Sequence, residues 1–278
     1  MSAALLILLS GMIHATVNTI LKAGRDKMSG RAWMDGFSAV LVAPAAFLVP
    51  LPEHAWGWLA ASWVVHLLYL VALIRSFEQA DLGVAFPVAR GLAPVMAAGG
   101  AVLLFGEPIS IPIALGIGLI CSGVLAIGLS HAQQERVRPA ALGWAALTGV
   151  FVAAYTVVDA QGVRAAPSAA SYIVWVFLTL GGGIATFFAL WRGQAFVRSA
   201  ASQWRPGLIS GALSICSYGL ALFALRLGAT PRLAALRETS ILFASFLAVF
   251  VLKEKASATR LVGVAATALG AMVLVALG

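Results

Sequence analysis

Charged residues are scarce in this chain of 278 residues. Asp, Glu, Lys and Arg make up 10% of the sequence, whereas a soluble domain usually carries about 25%. Apolar residues make up 62%, and the mean hydropathy is +0.99. These values exclude an ordinary soluble domain and predict a polytopic membrane protein. The net charge of +8 needs only lysines and arginines in loops that face an anionic leaflet, so no nucleic-acid partner is predicted.

Cysteine and the common catalytic motifs are also missing or rare. Cys121 and Cys216 both lie in apolar stretches, without a CxxC pair or a cluster with histidine, so neither a disulfide nor a zinc site is predicted. The sequence lacks the GxxxxGK[ST] loop of ATP-binding proteins, the HExxH metal motif and the GxSxG motif of serine hydrolases. We therefore expect no enzyme, no catalytic or metal site and no cofactor, and a transport cycle would have to use a gradient.

Ten apolar stretches are each long enough to cross a bilayer, which takes about 20 helical residues. They lie near residues 3–22, 33–51, 56–76, 83–105, 110–130, 140–160, 169–191, 207–227, 232–252 and 259–277. One compositional break, in the segment "HAQQERVRPA", separates five predicted helices from the next five. The sequence therefore predicts an all-α integral membrane protein with a first repeat at 1–130, an inter-repeat loop at 131–139 and a second repeat at 140–278.

The two predicted halves resemble each other in sequence. At a constant offset of 147 positions the matching pairs are Arg90 and Arg237, Glu107 and Glu254, Ser110 and Ser257, Gly116 and Gly263, and Gly123 and Gly270. Because five is odd, the second half must cross the membrane in the opposite sense. This predicts two inverted repeats around a central cavity, which is a recurring architecture of secondary transporters. The alternative is an old duplication without a transport role.

The matched glycines recur every seven residues, so each pair forms one smooth face on predicted helix 5 or 10, and small faces let membrane helices approach closely. Pro87 and Pro94 fall inside predicted helix 4, where proline can bend or unwind a helix. We therefore expect close packing of helices 5 and 10 and an irregular helix 4.

Lysines and arginines are unequally shared between the two ends of the predicted helices. The loops after helices 1, 3, 5, 7 and 9 hold most of them, including Arg31 and Arg192, and the opposite side has only Arg164, Arg226 and Arg232. Positive charge marks the cytoplasmic side of a membrane protein. The bias therefore predicts that both chain termini lie outside the cytoplasm.

Arg90 and Arg237 lie inside apolar stretches, where a charged side chain is costly and normally faces a cavity or a partner. Each could hold a carboxylate or phosphate oxygen in a wet cavity, or it could reach the headgroups or form a structural ion pair. Glu238, directly after Arg237, could pair with Arg90 across the two halves, bind a substrate ammonium group or carry a proton.

Other polar side chains fall at helical spacing within apolar stretches. His14 and Asn18 share one face of helix 1, which Lys22 continues. Tyr155, Thr156 and Asp159 form a matching stripe on helix 6, with Asp159 expected near the membrane surface. Tyr69 and Tyr218 occupy equivalent places on helices 3 and 8, as interface anchors or as cavity walls. The predicted substrate-binding residues are His14, Asn18, Tyr69, Arg90, Tyr155, Thr156, Tyr218, Arg237 and Glu238, and packed polar groups without a binding role are the alternative for several of them.

Three segments and the glycine-spaced last helix give the chain a family resemblance. They are "HATVNTILK" in helix 1, "FPVARGLAPV" in helix 4 and "RETSILFASFLAVFVLKEKAS" in helix 9. Over essentially its whole length the chain resembles the EamA branch of the drug/metabolite transporter superfamily, including the YddG-type amino acid and metabolite exporters. The resemblance implies a ten-helix carrier without prosthetic groups, whose cavity is walled by helices 1, 3, 4, 6, 8 and 9. Many members of this family are thought to have both termini inside the cytoplasm.

These observations predict a secondary transporter that exports small polar metabolites, with amino acids as the leading candidates, across a bacterial inner membrane by alternating access. The expected partners are a small-molecule substrate and membrane lipids, and one chain with two halves could act as a monomer. Two alternatives stay open. One is a translocase for a lipid or a lipid-linked sugar, and the other is efflux of drugs or cations, against which the two arginines count.

Overall fold

The computed structural model describes residues 2–24, 26–79, 82–132, 139–250 and 257–278. These residues form α1 (Ala3–Ala23), α2 (Lys27–Val42), a 3-10 helix (Ala43–Phe47), α3 (Trp56–Gln79), α4 (Leu82–Phe105), α5 (Ile111–Ala132), α6 (Pro139–Ala165), α7 (Ala169–Arg192), α8 (Gln194–Leu227), α9 (Thr230–Arg237), α10 (Ser240–Phe250) and α11 (Ala258–Leu277). The described part contains no strand, so the prediction of an all-α chain is confirmed. Several basic residues of the loops that carry the charge bias lie outside it, namely Arg25, Arg136, Arg138, Lys253 and Lys255, and so do Glu254 and most of the loop 131–139.

Eight of the described helices are long and apolar enough to cross a membrane. They are α1, α3, α4, α5, α6, α7, α8 and α11. The predicted span 33–51 corresponds to α2, which has 16 residues and is followed by the 3-10 helix. Pro44 lies at the start of that 3-10 segment, where its missing N–H cannot continue the α-helical pattern. The predicted span 232–252 corresponds to two shorter helices, α9 and α10.

The predicted helix at 232–252 is interrupted between α9 and α10, whereas α4 is not interrupted at its prolines. α4 runs without interruption through Pro87 and Pro94, and Gly128 of α5 makes room for Pro87 because any side chain on that glycine would collide with the proline ring. Between α9 and α10, Thr239 N donates to Leu236 O at 3.2 Å and Ile241 N donates to Glu238 O at 3.0 Å. These bonds span three residues, so the chain tightens into a 3-10 turn there.

Glycine allows α5 and α11 to pack backbone against backbone. A Cβ added to Gly123 would lie 2.6 Å from the carbonyl oxygen of Gly263, and one added to Gly270 would lie 2.8 Å from that of Gly116. The pairing of 123 with 263 and of 116 with 270 makes the two helices antiparallel. The predicted helix 10, at residues 259–277, corresponds to α11, so the predicted close packing of helices 5 and 10 is confirmed.

A charged network ties together helix ends on the side of the membrane where the chain begins and ends, which we call the terminal side. Glu107, in the connection between α4 and α5, accepts a hydrogen bond from Arg164 Nη1 of α6 at 2.5 Å. It also accepts from the backbone N–H and the hydroxyl of Thr230 of α9, both at 2.7 Å. Arg164 Nη2 in turn donates to the carbonyl of Gly228, which follows α8, at 2.7 Å. The ends of five helices are therefore joined on the terminal side.

Asp26 marks the opposite side, which we call the basic side. It accepts a hydrogen bond from Arg192 at 2.7 Å, which connects the start of α2 to the end of α7. This contact therefore joins one helix end of the first half of the sequence to one helix end of the second half.

Gly123→Ala tests the close packing of α5 and α11. The added methyl group has no space against Gly263, so we expect the free energy of unfolding in detergent to fall by about 1–3 kcal/mol. Gly118→Ala, on the same helix, is the matched control, because no described atom lies within 4 Å of its added Cβ. Equal unfolding curves for the two variants would contradict the packing.

Glu107→Gln tests the network on the terminal side. Partial burial raises the pKa of Glu107, but hydrogen bonds from Arg164 and Thr230 outweigh burial and lower the pKa from its usual 4.5. A lowered pKa stabilises the folded state above the unfolded value, and this contribution disappears as the pH falls through the folded value. We expect the wild type to have a higher melting temperature than the variant at neutral pH, and the difference to shrink below about pH 4.5. A difference that does not change with pH would contradict this account.

Candidate functional site

A cavity of about 120 Å³, measured as the space open to the centre of a water molecule, lies among the helices. One water needs roughly 10–15 Å³ on this measure, so the cavity has room for a small solute. Most of the predicted substrate-binding residues line it, namely His14, Asn18, Tyr69, Arg90, Tyr155, Tyr218 and Arg237. The side chain of Lys22, predicted to share the face of His14, lies outside the described part.

Thr156 and Glu238, the other two predicted residues, line a smaller space of about 10 Å³ beside the main cavity. Arg90 and Arg237 border both spaces. The Thr156 hydroxyl donates to the backbone carbonyl of Val152 at 2.7 Å, which is the usual partner of a hydroxyl in a membrane helix. Glu238 is therefore connected to the main cavity through the arginines.

Two helices line the cavity in addition to those that the family resemblance implied. α2 contributes Arg31 and Asp35, and α7 contributes Phe177 and Leu180. Arg31 is not in a loop, as the sequence predicted, but in the second turn of α2, and its Nε donates to Asp35 Oδ2 at 2.8 Å. The signal was present, because an arginine and an aspartate four residues apart share one helix face. It was missed because the predicted span began at residue 33.

Arg90 connects the two halves of the sequence at the centre of the fold. Its Nη1 donates to Glu238 Oε1 at 3.1 Å, and the two side chains are only 8% and 5% exposed. Its Nη2 lies 2.9 Å from His14 Nε2. Because a guanidinium can only donate, His14 Nε2 must accept, which assigns the proton of a neutral imidazole to Nδ1. The pairing of Glu238 with Arg90, one of three alternatives from the sequence, is confirmed.

Arg237 has a different environment. The residue is 8% exposed, and in the described part of the chain its Nε has no hydrogen-bond partner. Its guanidinium carbon lies 4.9 Å from the centre of the Tyr218 ring, a distance typical of a cation–π contact. A ring face satisfies none of the N–H groups of a guanidinium. Arg237 therefore offers hydrogen-bond donors at the edge of the cavity.

Aromatic rings form one wall of the cavity. His66 stacks on Tyr155 with ring centres 4.3 Å apart, and Tyr69 meets Tyr155 edge to face at 5.6 Å. Nδ1 of His66 lies 2.9 Å from the carbonyl oxygen of Ser62, which fixes the orientation of the imidazole. His66 was not among the predicted residues, although its place three positions before Tyr69 puts both on one helix face.

Asp159 is fully buried, with 0% exposure, and its expected place near the membrane surface, which concerns depth along α6, stays a prediction. The hydroxyl of Tyr172 donates to its Oδ1 at 2.7 Å, and the hydroxyl of Tyr218 donates to its Oδ2. These two bonds join α6 to α7 and α8. Its burial depends on the neighbouring helices, which depth along α6 does not describe.

The cavity lies between Arg237 and the basic side. Its lining reaches Leu21 near the end of α1, Arg31 near the start of α2 and Ile184, beyond the middle of α7. On α6, the described lining runs from Thr148 to Tyr155, one turn short of Asp159. The structure therefore shows a cavity directed to the basic side, with Asp159 and the Glu107 network between it and the terminal side.

Part of this chain matches a known protein family. Residues 139–276 match the EamA-like transporter family, and this match supports an assignment to the EamA branch of the drug/metabolite transporter superfamily, whose members are transporters and not enzymes. One solved structure, described only as "Crystal structure of protein", has a TM-score of 0.75 and 17% identity, covering 98% of this chain and 94% of that one. In all, 29 chains of solved structures match. At this identity the likeness shows the fold alone, and no curated protein matches the sequence.

A double-mutant cycle tests the buried pair of Arg90 and Glu238. We expect Arg90→Met and Glu238→Gln each to lower the free energy of unfolding, because each leaves a buried charge less well compensated. The double variant should lose less than the sum of the two, with a coupling energy of about 1–3 kcal/mol. Arg75 and Glu78, whose side chains are 58% and 54% exposed, form the control pair, and their coupling should stay below about 1 kcal/mol. Similar coupling energies for the two pairs would contradict the special role of the buried one.

Proposed function

We propose that this chain is a secondary transporter that exports small polar metabolites, with amino acids as the leading candidates, across a bacterial inner membrane by alternating access. The family match supports a transporter, and the cavity supports a small polar solute as its cargo. A gradient is the driving force in this proposal, since the sequence has no ATP-binding loop.

The observation that carries the proposal is the burial of Arg237 beside the cavity and its incomplete hydrogen bonding. A guanidinium that is buried, faces a cavity and has an Nε without a hydrogen-bond partner in the described residues is suited to a planar anion. A carboxylate can accept two parallel, charge-assisted hydrogen bonds from one guanidinium. Arg90 is less suited to this role, because it already donates to Glu238 and His14. Arg237 would therefore bind the substrate carboxylate.

The remaining groups of an amino acid also find partners in the cavity. Asp35 lines it and uses Oδ2 for Arg31, which leaves Oδ1 to accept from an ammonium group. Tyr69, Tyr155 and Phe177 provide aromatic surface for a side chain. In this arrangement Glu238 keeps Arg90 in place and does not bind the ammonium group itself.

Two inverted five-helix repeats are part of this proposal. Arg90 and Arg237, and likewise Tyr69 and Tyr218, occupy matching positions in the two halves, and all four line the same cavity. The glycine faces of α5 and α11, also at matching positions, pack against each other. The chain would cross the membrane ten times if α2 and its 3-10 extension form one crossing and α9 and α10 form another. In this proposal a monomer transports by rocking its halves about the cavity.

Exchange in liposomes tests the function and the role of Arg237. Purified protein would be reconstituted into liposomes loaded with unlabelled amino acids, and counterflow of labelled amino acids would be measured. We expect saturable exchange by the wild type. In Arg237→Ala, the half-saturating concentration should rise at least about tenfold, because a hydrogen bond to a charged group is lost.

Arg198→Ala is the matched control, since Arg198 is an exposed arginine at the start of α8 and should leave exchange unchanged. Exchange that survives in Arg237→Ala would keep the transporter and remove Arg237 from the site. Absence of exchange with every amino acid, in protein shown to be folded, would favour a lipid, a lipid-linked sugar or a cationic drug as the cargo.

A further inference from the structure

Asp159 is the one carboxylate in the centre of the described structure whose hydrogen bonds all come from neutral groups. Glu238 is bonded to Arg90 and Asp35 to Arg31. Asp159 is held by Tyr172 and Tyr218 and forms no salt bridge within the described residues. A buried carboxylate without a bonded cation is costly to keep ionised. Its two phenol donors are therefore what stabilise the charge.

Both oxygens of Asp159 are contacted by a tyrosine hydroxyl in this conformation. One tyrosine hydroxyl donates to each carboxylate oxygen, so both oxygens act as acceptors. A carboxylic acid would have to place its own O–H, and a phenol that accepted this proton could no longer donate to the carboxyl group. Two donating phenols therefore suit a carboxylate in the conformation whose cavity is directed to the basic side.

Other charged and titratable groups surround this cluster without contacting the carboxylate. From α3, His66 stacks on Tyr155 and interacts electrostatically with Asp159. From α9, Arg237 lies over the Tyr218 ring. Arg90 of α4 is held by Glu238, and Arg164, further along α6, is held by Glu107. The two tyrosines are thus the groups whose movement would change the environment of Asp159 most.

We propose that Asp159 is the site at which this transporter binds the proton that drives transport. Asp159 lies between the cavity and the terminal side, and its bonds join α6, α7 and α8 there. Opening of the terminal side must separate these helices and remove at least one phenol from the carboxylate. A proton from the aqueous phase on that side then adds to a carboxylate oxygen and neutralises the buried charge.

Return to the present conformation reverses this step. The two tyrosines come back to the carboxyl group, their hydroxyls donate to its oxygens in place of the water on the terminal side, and the proton leaves toward the cavity and the basic side. Each cycle therefore moves one proton from the terminal side to the basic side. This inference rests on the proposed function, and with a substrate carried the other way it makes the protein a proton–substrate antiporter.

Accumulation driven by a pH gradient separates coupling from exchange. For one proton per substrate, a gradient of one pH unit supports an accumulation ratio of up to about tenfold. We expect wild-type liposomes to approach this ratio, and Asp159→Asn to give a ratio of about one while counterflow at equal pH continues. Glu78→Gln, at an exposed carboxylate on α3, is the control and should accumulate like the wild type.

The outcomes separate this inference from the proposed function. Wild-type counterflow without any response to the pH gradient would overturn the proton site and leave the transporter. An Asp159→Asn variant that still accumulates substrate would also overturn it. Absence of counterflow by the wild type would contradict the proposed function, and the proton site would then be decided by the spectroscopic measurement below.

Infrared difference spectra between acidic and alkaline buffer provide that second measurement, without substrate. We expect a carboxylic-acid C=O band in the wild type that is missing in Asp159→Asn. Tyr172→Phe, outside the described cavity lining, should keep the band but move it to a higher frequency, because the carboxyl group loses one hydrogen bond. A wild-type spectrum identical to that of Asp159→Asn would overturn the proposal, even if Asp159→Asn proved too unstable for transport assays.

Discussion

The ion pair of Arg90 and Glu238 is the interaction on which the centre of this structure depends. A charge buried in a membrane protein is tolerated only when it is paired or faces water, so the two side chains must meet wherever the helices carry them. Arg90 comes from α4 of the first half, and Glu238 from the break between α9 and α10 of the second. His14 of α1 completes the set by accepting from Arg90. The pair therefore fixes how three chain segments meet, and removal of either partner leaves the other charge in an apolar interior.

This pairing also explains why the two arginines, although they occupy matching positions in the two halves of the sequence, have different surroundings. Position 91, next to Arg90, is glycine, whereas position 238, next to Arg237, is glutamate. That glutamate pairs with the arginine of the other half and not with its own neighbour, because adjacent helical side chains point in different directions. Arg90 is thereby neutralised, and Arg237 keeps donors available at the cavity. A single unmatched residue in the second half leaves one of two matching arginines as a structural cation and the other as the cation that we propose to bind the substrate.

Composition and periodicity were sufficient to predict the membrane class, the glycine packing of α5 and α11, and the positions of most helices. The exceptions are α2, which begins at Lys27 and ends at Val42, and α8, which begins at Gln194 and not near residue 207. They also identified seven residues that line one cavity, because charged and aromatic side chains are conspicuous in an apolar stretch. The sequence could not reveal that Asp159 is fully buried, since this depends on the packing of neighbouring helices. Arg31 and His66 were missed although their helical spacing to Asp35 and Tyr69 was visible in the sequence. The break after Arg237 has no proline or glycine to announce it. At this break Gly11 of α1 packs so closely that a Cβ added to it would lie 3.4 Å from the backbone nitrogen of Ser240. Tertiary packing and not local propensity therefore marks the position.

Tyr218 connects the two groups to which we assign substrate and proton. Its ring face carries the guanidinium of Arg237, and its hydroxyl donates to Asp159. A cation on the face and an anion at the hydroxyl both hold the same ring in place, so a change at either end alters the support of the other. An anionic ligand on Arg237 would weaken the attraction of the guanidinium to the ring, and a proton on Asp159 would weaken the bond at the hydroxyl. Substrate and proton therefore need no direct contact to influence each other, because one aromatic side chain, itself part of the cavity wall, responds to both.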